Sequence, residues 1–159
     1  PDGFTPIPMR EHENPQVRYE ALKLCLRVPG EHDESVARAL EDRVGRIVAL
    51  GVAAAENGAP PSTESRLVEF ALDSGGDSEL RLPAIRALAR FRTDRARSAL
   101  LEVAAPRRRF MRSVPPDPTP ETCAALRVLR SSWSDDPEVQ ALLSLAIAAG
   151  DDAVREAAE

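Results

Sequence analysis

At 159 residues, 43% of them hydrophobic and 30% charged, the chain is long enough to bury one apolar core and too apolar to be a disordered tail. A formal net charge of -5 argues against the strongly positive field of a dedicated nucleic-acid binder. Aromatics make up only 4%, while Ala and Leu recur throughout, the balance of closely packed helices rather than of strands.

Residues 1–13, with Pro1, Pro6 and Pro8, read as an extended lead-in or linker. The repeat domain, residues 14–159, opens with NPQVRYEAL (residues 14–22): a polar turn residue, two spacers, an aliphatic, Arg, two spacers, Ala and a further aliphatic. The same phrase returns as DSELRLPAI (residues 77–85) and, slightly compressed, as DAVREAA (residues 152–158). RIVAL (residues 46–50) and TCAAL (residues 122–126) carry shorter versions. Anchored on Ala21, Ala49, Ala84, Ala125 and Ala158, the units lie 28, 35, 41 and 33 residues apart, a helical-repeat period with loop insertions. No window alternates as propeller strands would.

Each anchor sits in helical apolar spacing, as with Val17, Ala21, Leu22 and Leu24, or Leu80, Ala84, Ile85 and Leu88. These are the A helices. Asn14-Pro15, Thr119-Pro120 and Asp136-Pro137 read as N-caps followed by Pro at the first helical position. B helices are expected between the anchors, over residues 34–41, 63–73, 94–104 and 137–149. Residues 34–56 could form one helix or two, and a break near residues 42–45 is favoured. The predicted fold is all-α.

The phrases NPQVRYEAL, DSELRLPAI and DDAVREAA resemble the HEAT-like repeats of bacteria, a group that includes the repeats described in phycobilisome lyases. That resemblance implies a right-handed α-solenoid (an α-α superhelix) of about four helical hairpins plus a terminal helix, with the B helices on a concave face. Members act as scaffolds, regulators and lyase subunits. The chain stops inside what reads as a fifth A helix, so a longer parent chain is expected.

The recurring arginines Arg18, Arg46, Arg81 and Arg155 are expected to form a structural ladder between repeats, with Thr122 breaking the series. The densest charge run spans residues 90–112, and within it Arg107, Arg108, Arg109 and Arg112 form a possible interaction patch for phosphates or an acidic partner. His12 and His32 stand beside carboxylates, but not at the spacing of a metal motif, and both are read as exposed turn residues. Cys25 and Cys123 are expected as buried thiols, and Trp133 as a cap on the seam between A and B helices.

No Gly-rich phosphate loop and no nucleophile elbow is present: Gly75-Gly76 is a turn. No catalytic residue, metal or cofactor is assigned. The expected role is a non-catalytic protein-interaction or scaffolding module in the cytoplasm, partnered by another protein or a neighbouring domain and not by a membrane. Two alternatives stand beside it, phosphate or nucleic-acid binding through residues 90–112, and a regulatory or lyase-type subunit holding a small molecule.

Overall fold

The computed structural model describes residues 6–76, 78–105, 108–109, 112–113, 116–148 and 151–159. Within them the chain is all-helical apart from two strands of two residues each. The helices are α1 (Pro15–Cys25), α2 (His32–Leu40), α3 (Gly45–Ala55), α4 (Glu64–Leu72), α5 (Ser78–Ala87), α6 (Asp94–Ala104), α7 (Pro120–Ser132), α8 (Pro137–Ile147) and α9 (Asp152–Ala158). The strands β1 (Arg108–Arg109) and β2 (Arg112–Ser113) pair antiparallel between α6 and α7. No helix among the described residues is long and apolar enough to cross a membrane.

Five helices, α1, α6, α7, α8 and α9, start on a capping side chain. The Asn14 side chain accepts from the Gln16 amide at 2.9 Å, Thr93 from Ala96 at 3.1 Å and Thr119 from Thr122 at 3.1 Å. Asp136 accepts from both Glu138 and Val139, and Asp151 from both Ala153 and Val154. Each such cap satisfies an amide that the helix itself cannot, a contribution of about 1 kcal/mol. Proline opens α1, α7 and α8, where its missing N–H costs nothing. Between α1 and α2 the chain reverses through Gly30 at φ 86°, a left-handed conformation open to glycine and strained for other residues.

The stretch 34–56 forms two helices, with the break at residues 41–44. There Asp42 Oδ1 accepts from the Val44 amide at 2.9 Å and Gly45 begins the new helix. The segment read as a lead-in is in part folded: Ile7–Glu11 form a 3-10 turn packed on α1. Its Arg10 is only 8% exposed, donates to Ser35 Oγ at 3.2 Å and pairs with Glu31 at 3.0 Å, fastening the turn to the start of α2.

The helices pack mainly on those next, or next but one, along the chain. α2 lies on α3, α4 on α5, α6 on α7 and α8 on α9, while α3 meets α5, α5 meets α7 and α7 meets α9. A continuous buried cluster runs from Val36 to Ala158, and a smaller one joins α1, α2 and α3 through Leu22, Ala39 and Ile47. Four of the five alanine anchors, Ala21, Ala84, Ala125 and Ala158, are buried, the last three of them in the continuous cluster. Ala49 is half-buried instead, because the close approach in that unit falls at Gly51. A methyl group at Gly51 would lie 2.8 Å from Ala39 Cβ and 3.0 Å from the Leu40 amide nitrogen.

Gly51→Ala is therefore expected to destabilise. The helix-propensity gain of about 1 kcal/mol is outweighed by overpacking of about 1–3 kcal/mol against atoms that cannot swing aside. Urea denaturation measures the net loss, and Ala39→Gly in the same chain should restore part of it. At the centre of α7, Leu126 is fully buried, and Leu126→Ala is expected to cost about 2–5 kcal/mol in the same assay.

Candidate interaction surface

Within the arginine run at 90–112, the side chains of Arg90, Arg95 and Arg97 each reach a partner on another part of the chain. Arg90 Nε donates to the Glu56 carbonyl at 3.0 Å, at the C-terminal end of α3, where a cation complements the helix dipole. Arg95 donates to Ser65 on α4. Arg97 Nη1 binds Asp136 at 2.6 Å, with Glu138 at 3.7 Å, and its Nε lies 3.9 Å from Asp94. Arg107 lies outside the described residues. For Arg108, Arg109 and Arg112 the backbone is described, and the strand register makes Arg109 the partner of Arg112 and Arg108 that of Ser113.

The four ladder arginines take four different partners. Arg18 binds Asp42 through two hydrogen bonds, of 2.8 and 3.0 Å, and donates its remaining amino group to the carbonyls of His12 and Glu13. Arg46 stacks back over the Tyr19 ring at 4.1 Å. Arg81 Nε donates to the Ala71 carbonyl at 3.1 Å, and Arg155 pairs with Asp152 and Glu159 beside its own helix. Counted from the caps, it is Cys123 that takes the arginine place in α7, and its thiol sits 3.7 Å from the Ala153 carbonyl on α9.

Only Arg18 among the four reaches a carboxylate at the start of the next A helix. Arg97, also four residues after its N-cap, does the same from α6 to the N-cap of α8.

No group of three or more His, Cys, Asp and Glu able to hold a metal occurs among the described residues. His12 is exposed and its Nδ1 accepts from the Asn14 amide at 3.0 Å, while His32 is half-buried near Gly58. Cys25 and Cys123 are free and buried, and burial pushes both thiols up, away from the thiolate that nucleophilic chemistry needs. Trp133 is half-buried against the main core at the end of α7.

What remains open is the surface shared by α4, α6 and α8. Between α6 and α8 lies a cavity of about 280 Å³, walled by Leu101, Ala105, Ala141, Leu142 and Leu145 with Glu138 at its rim. On the other side of α6 a shallower groove of about 410 Å³ runs along α4, floored by Val68, Leu72 and Ala99 and edged by Asp94, Arg95 and Glu102. A third cleft, at the first hairpin, is bordered by charged side chains, among which Arg18 binds Asp42 and Arg38 binds Glu11. The α6–α8 cavity was not anticipated from sequence. Its signal was the composition of α8, PEVQALLSLAI, which carries polar side chains only at Glu138, Gln140 and Ser144.

Two carboxylates tie the helices electrostatically. The Arg18 guanidinium holds Asp42 below the ordinary carboxylate range, and the backbone amides at Val139 and Glu138, together with Arg97, do so for Asp136. A depressed native pKa means that the unfolded chain binds protons first on acidification. The stabilisation is complete above the unfolded value of about 3.9 and disappears as the pH falls through the lower native values. Thermal melts between pH 7 and pH 2.5 are thus expected to show wild-type stability dropping below about pH 4. Asp42→Asn, with a side-chain oxygen to keep the Val44 cap, should start less stable at pH 7 and lose less on acidification.

Comparison with family models, with curated proteins and with solved structures finds no match to this chain.

Proposed function

We propose that this chain is a non-catalytic protein-interaction or scaffolding module, built as a right-handed solenoid of HEAT-like hairpins. The observation that carries the proposal is the packing order, in which helices lean on their neighbours one and two places along the chain, together with the exposed apolar cavity between α6 and α8. A stack of this kind spreads its helices into an extended face rather than closing them around a reaction centre. Its titratable groups accord with that reading: Arg18, Arg46, Arg81, Arg90, Arg95 and Arg97 each reach from one helix to another, while Arg155 turns back on its own helix.

The small-molecule alternative asks for a deep apolar pocket with a few converging polar groups. The α6–α8 cavity, at about 280 Å³, falls just short of the usual ligand range of about 300–1,000 Å³ and opens at the surface, a size for side chains rather than for a bilin. The phosphate-binding alternative keeps one supporting observation, the register that makes Arg109 and Arg112 partners in a short antiparallel ladder.

Two experiments separate these readings. Chemical crosslinking of the chain in a lysate of its source cells, followed by mass spectrometry, is expected to recover the same protein partners reproducibly, and recovery of none overturns the interaction reading. Titration with single-stranded and duplex oligonucleotides is expected to show no binding at about 150 mM salt. Affinity that falls steeply with salt and is lost on joint substitution of Arg107, Arg108 and Arg109 by Ser would establish the phosphate alternative instead.

A further inference from the structure

We infer that residues 7–25, the 3-10 turn together with α1, form a latch that opens from the other helices as one body and uncovers the Cys25 thiol when it does. This device belongs to the first hairpin alone and stands apart from the interaction reading above.

The first ground is how α1 is covered. It packs chiefly on the 3-10 turn and only lightly on α2 and α3, whereas α2 with α3, α4 with α5 and α6 with α7 form broad contacts. Leu22 joins Ala39 and Ile47 in a cluster of their own, apart from the continuous core that runs from Val36 to Ala158. Ala21 and Cys25, one helical turn apart on α1, are buried yet belong to neither cluster. Of the four large apolar side chains that stay exposed among the described residues, three are on this unit, Ile7, Met9 and Leu24. A unit that buries so little apolar surface against the rest depends on its polar contacts to stay closed. Leu26, the next residue, packs on the continuous core and marks where the unit ends.

The second ground is that charged groups fasten it. Arg10 pairs with Glu31 and donates to Ser35, Glu11 pairs with Arg38, and Arg18 binds Asp42. All of these cross from the unit to residues 31–42, and Arg46 of α3 adds its stack over Tyr19. The Cys25 thiol lies beside Ser35, Arg10 and Glu31, so the side chain that pins the turn also closes over the sulfur. Water competes for every one of these partners, which makes the net hold of each contact small. Such a unit opens at a lower free energy than a core of packed leucines.

The test reads the two thiols in the folded chain. Each is labelled with a maleimide well below the melting temperature and followed by peptide mass spectrometry. Cys25 is expected to react at least about tenfold faster than global unfolding allows, with that limit fixed by urea denaturation. Arg10→Met, which keeps the length of the side chain and removes its charge, should raise the Cys25 rate by about tenfold and leave Cys123, in the continuous core, unchanged. Burial holds the Cys25 thiol up and the Arg10 charge works against that, so losing the charge would by itself slow the reaction; a faster rate comes from access. Asp42→Asn, which weakens the hold on Arg18, should also speed Cys25 selectively. Arg66→Met, which removes a remote pair with Glu69 on α4, should speed neither thiol. In hydrogen exchange of the unsubstituted chain, the amides of α1 should exchange together and ahead of those of α5 and α7, a measurement that needs no variant.

A Cys25 rate no faster than global unfolding, a parallel rise at both thiols in Arg10→Met, or protection of α1 equal to that of α5 and α7 overturns the inference. So does a response to Arg10→Met without one to Asp42→Asn, because the turn would then leave without α1.

Discussion

The structure depends on how closely neighbouring helices can approach, and that distance is set by small side chains on the seams. Gly51 against Ala39 is the tightest case, with no room for a single methyl group. Ala71, Ala84, Ala87, Ala96, Ala104, Ala125, Ala146 and Ala157 are all buried with no measurable exposure. Alanines contribute little burial energy individually, but they bring leucines such as Leu67, Leu88, Leu100 and Leu126 into mutual contact. A core made this way is more sensitive to added volume than one built on large aromatics, which is why a chain with 4% aromatics can be well packed.

Close approach fixes distance, and polar contacts fix the offset of one helix against the next. Asp42 and Asp136 each accept backbone amides at a helix start and receive a guanidinium from an earlier helix, Arg18 and Arg97 respectively. One carboxylate thus satisfies amides the helix cannot pair and sets where the helix two places back must lie. Arg10 does a related task at the first hairpin, locking the 3-10 turn to Ser35 and Glu31. The contacts are made mostly between helices one and two places apart along the chain.

The helices were legible in the sequence wherever a cap or a proline marked them. Asn14-Pro15, Thr119-Pro120 and Asp136-Pro137 open helices where expected, and α6 spans Asp94–Ala104 as the apolar spacing implied. The anchor residues were harder. Counting by the repeated phrase selects Ala49, but in α3 the burial moves to Ile47, Val48, Gly51 and Val52, because that helix begins only at Gly45, after the turn closed by Asp42. The same difficulty made Thr122 the misfit in the arginine series, when the cap at Thr119 places Cys123 there. Contacts between distant positions, such as Arg97 with Asp136, leave no local signature. The α6–α8 cavity likewise depends on a separation between helices, although the uniform apolarity of α8 was visible from the start.

That apolarity bears on how strong an association this surface can support. If a partner covered about 400 Å² of apolar surface at about 25 cal/mol per Å², the gross gain would be about 10 kcal/mol. Lost rigid-body freedom alone costs about 4–15 kcal/mol, before any ordering of the incoming segment. The two are of similar size, so the hydrophobic floor by itself gives a weak and reversible contact. Arg97 lies between Asp94 on its own helix and the carboxylates of Asp136 and Glu138 at the start of α8, which offsets the repulsion those three groups would otherwise exert between the two helices.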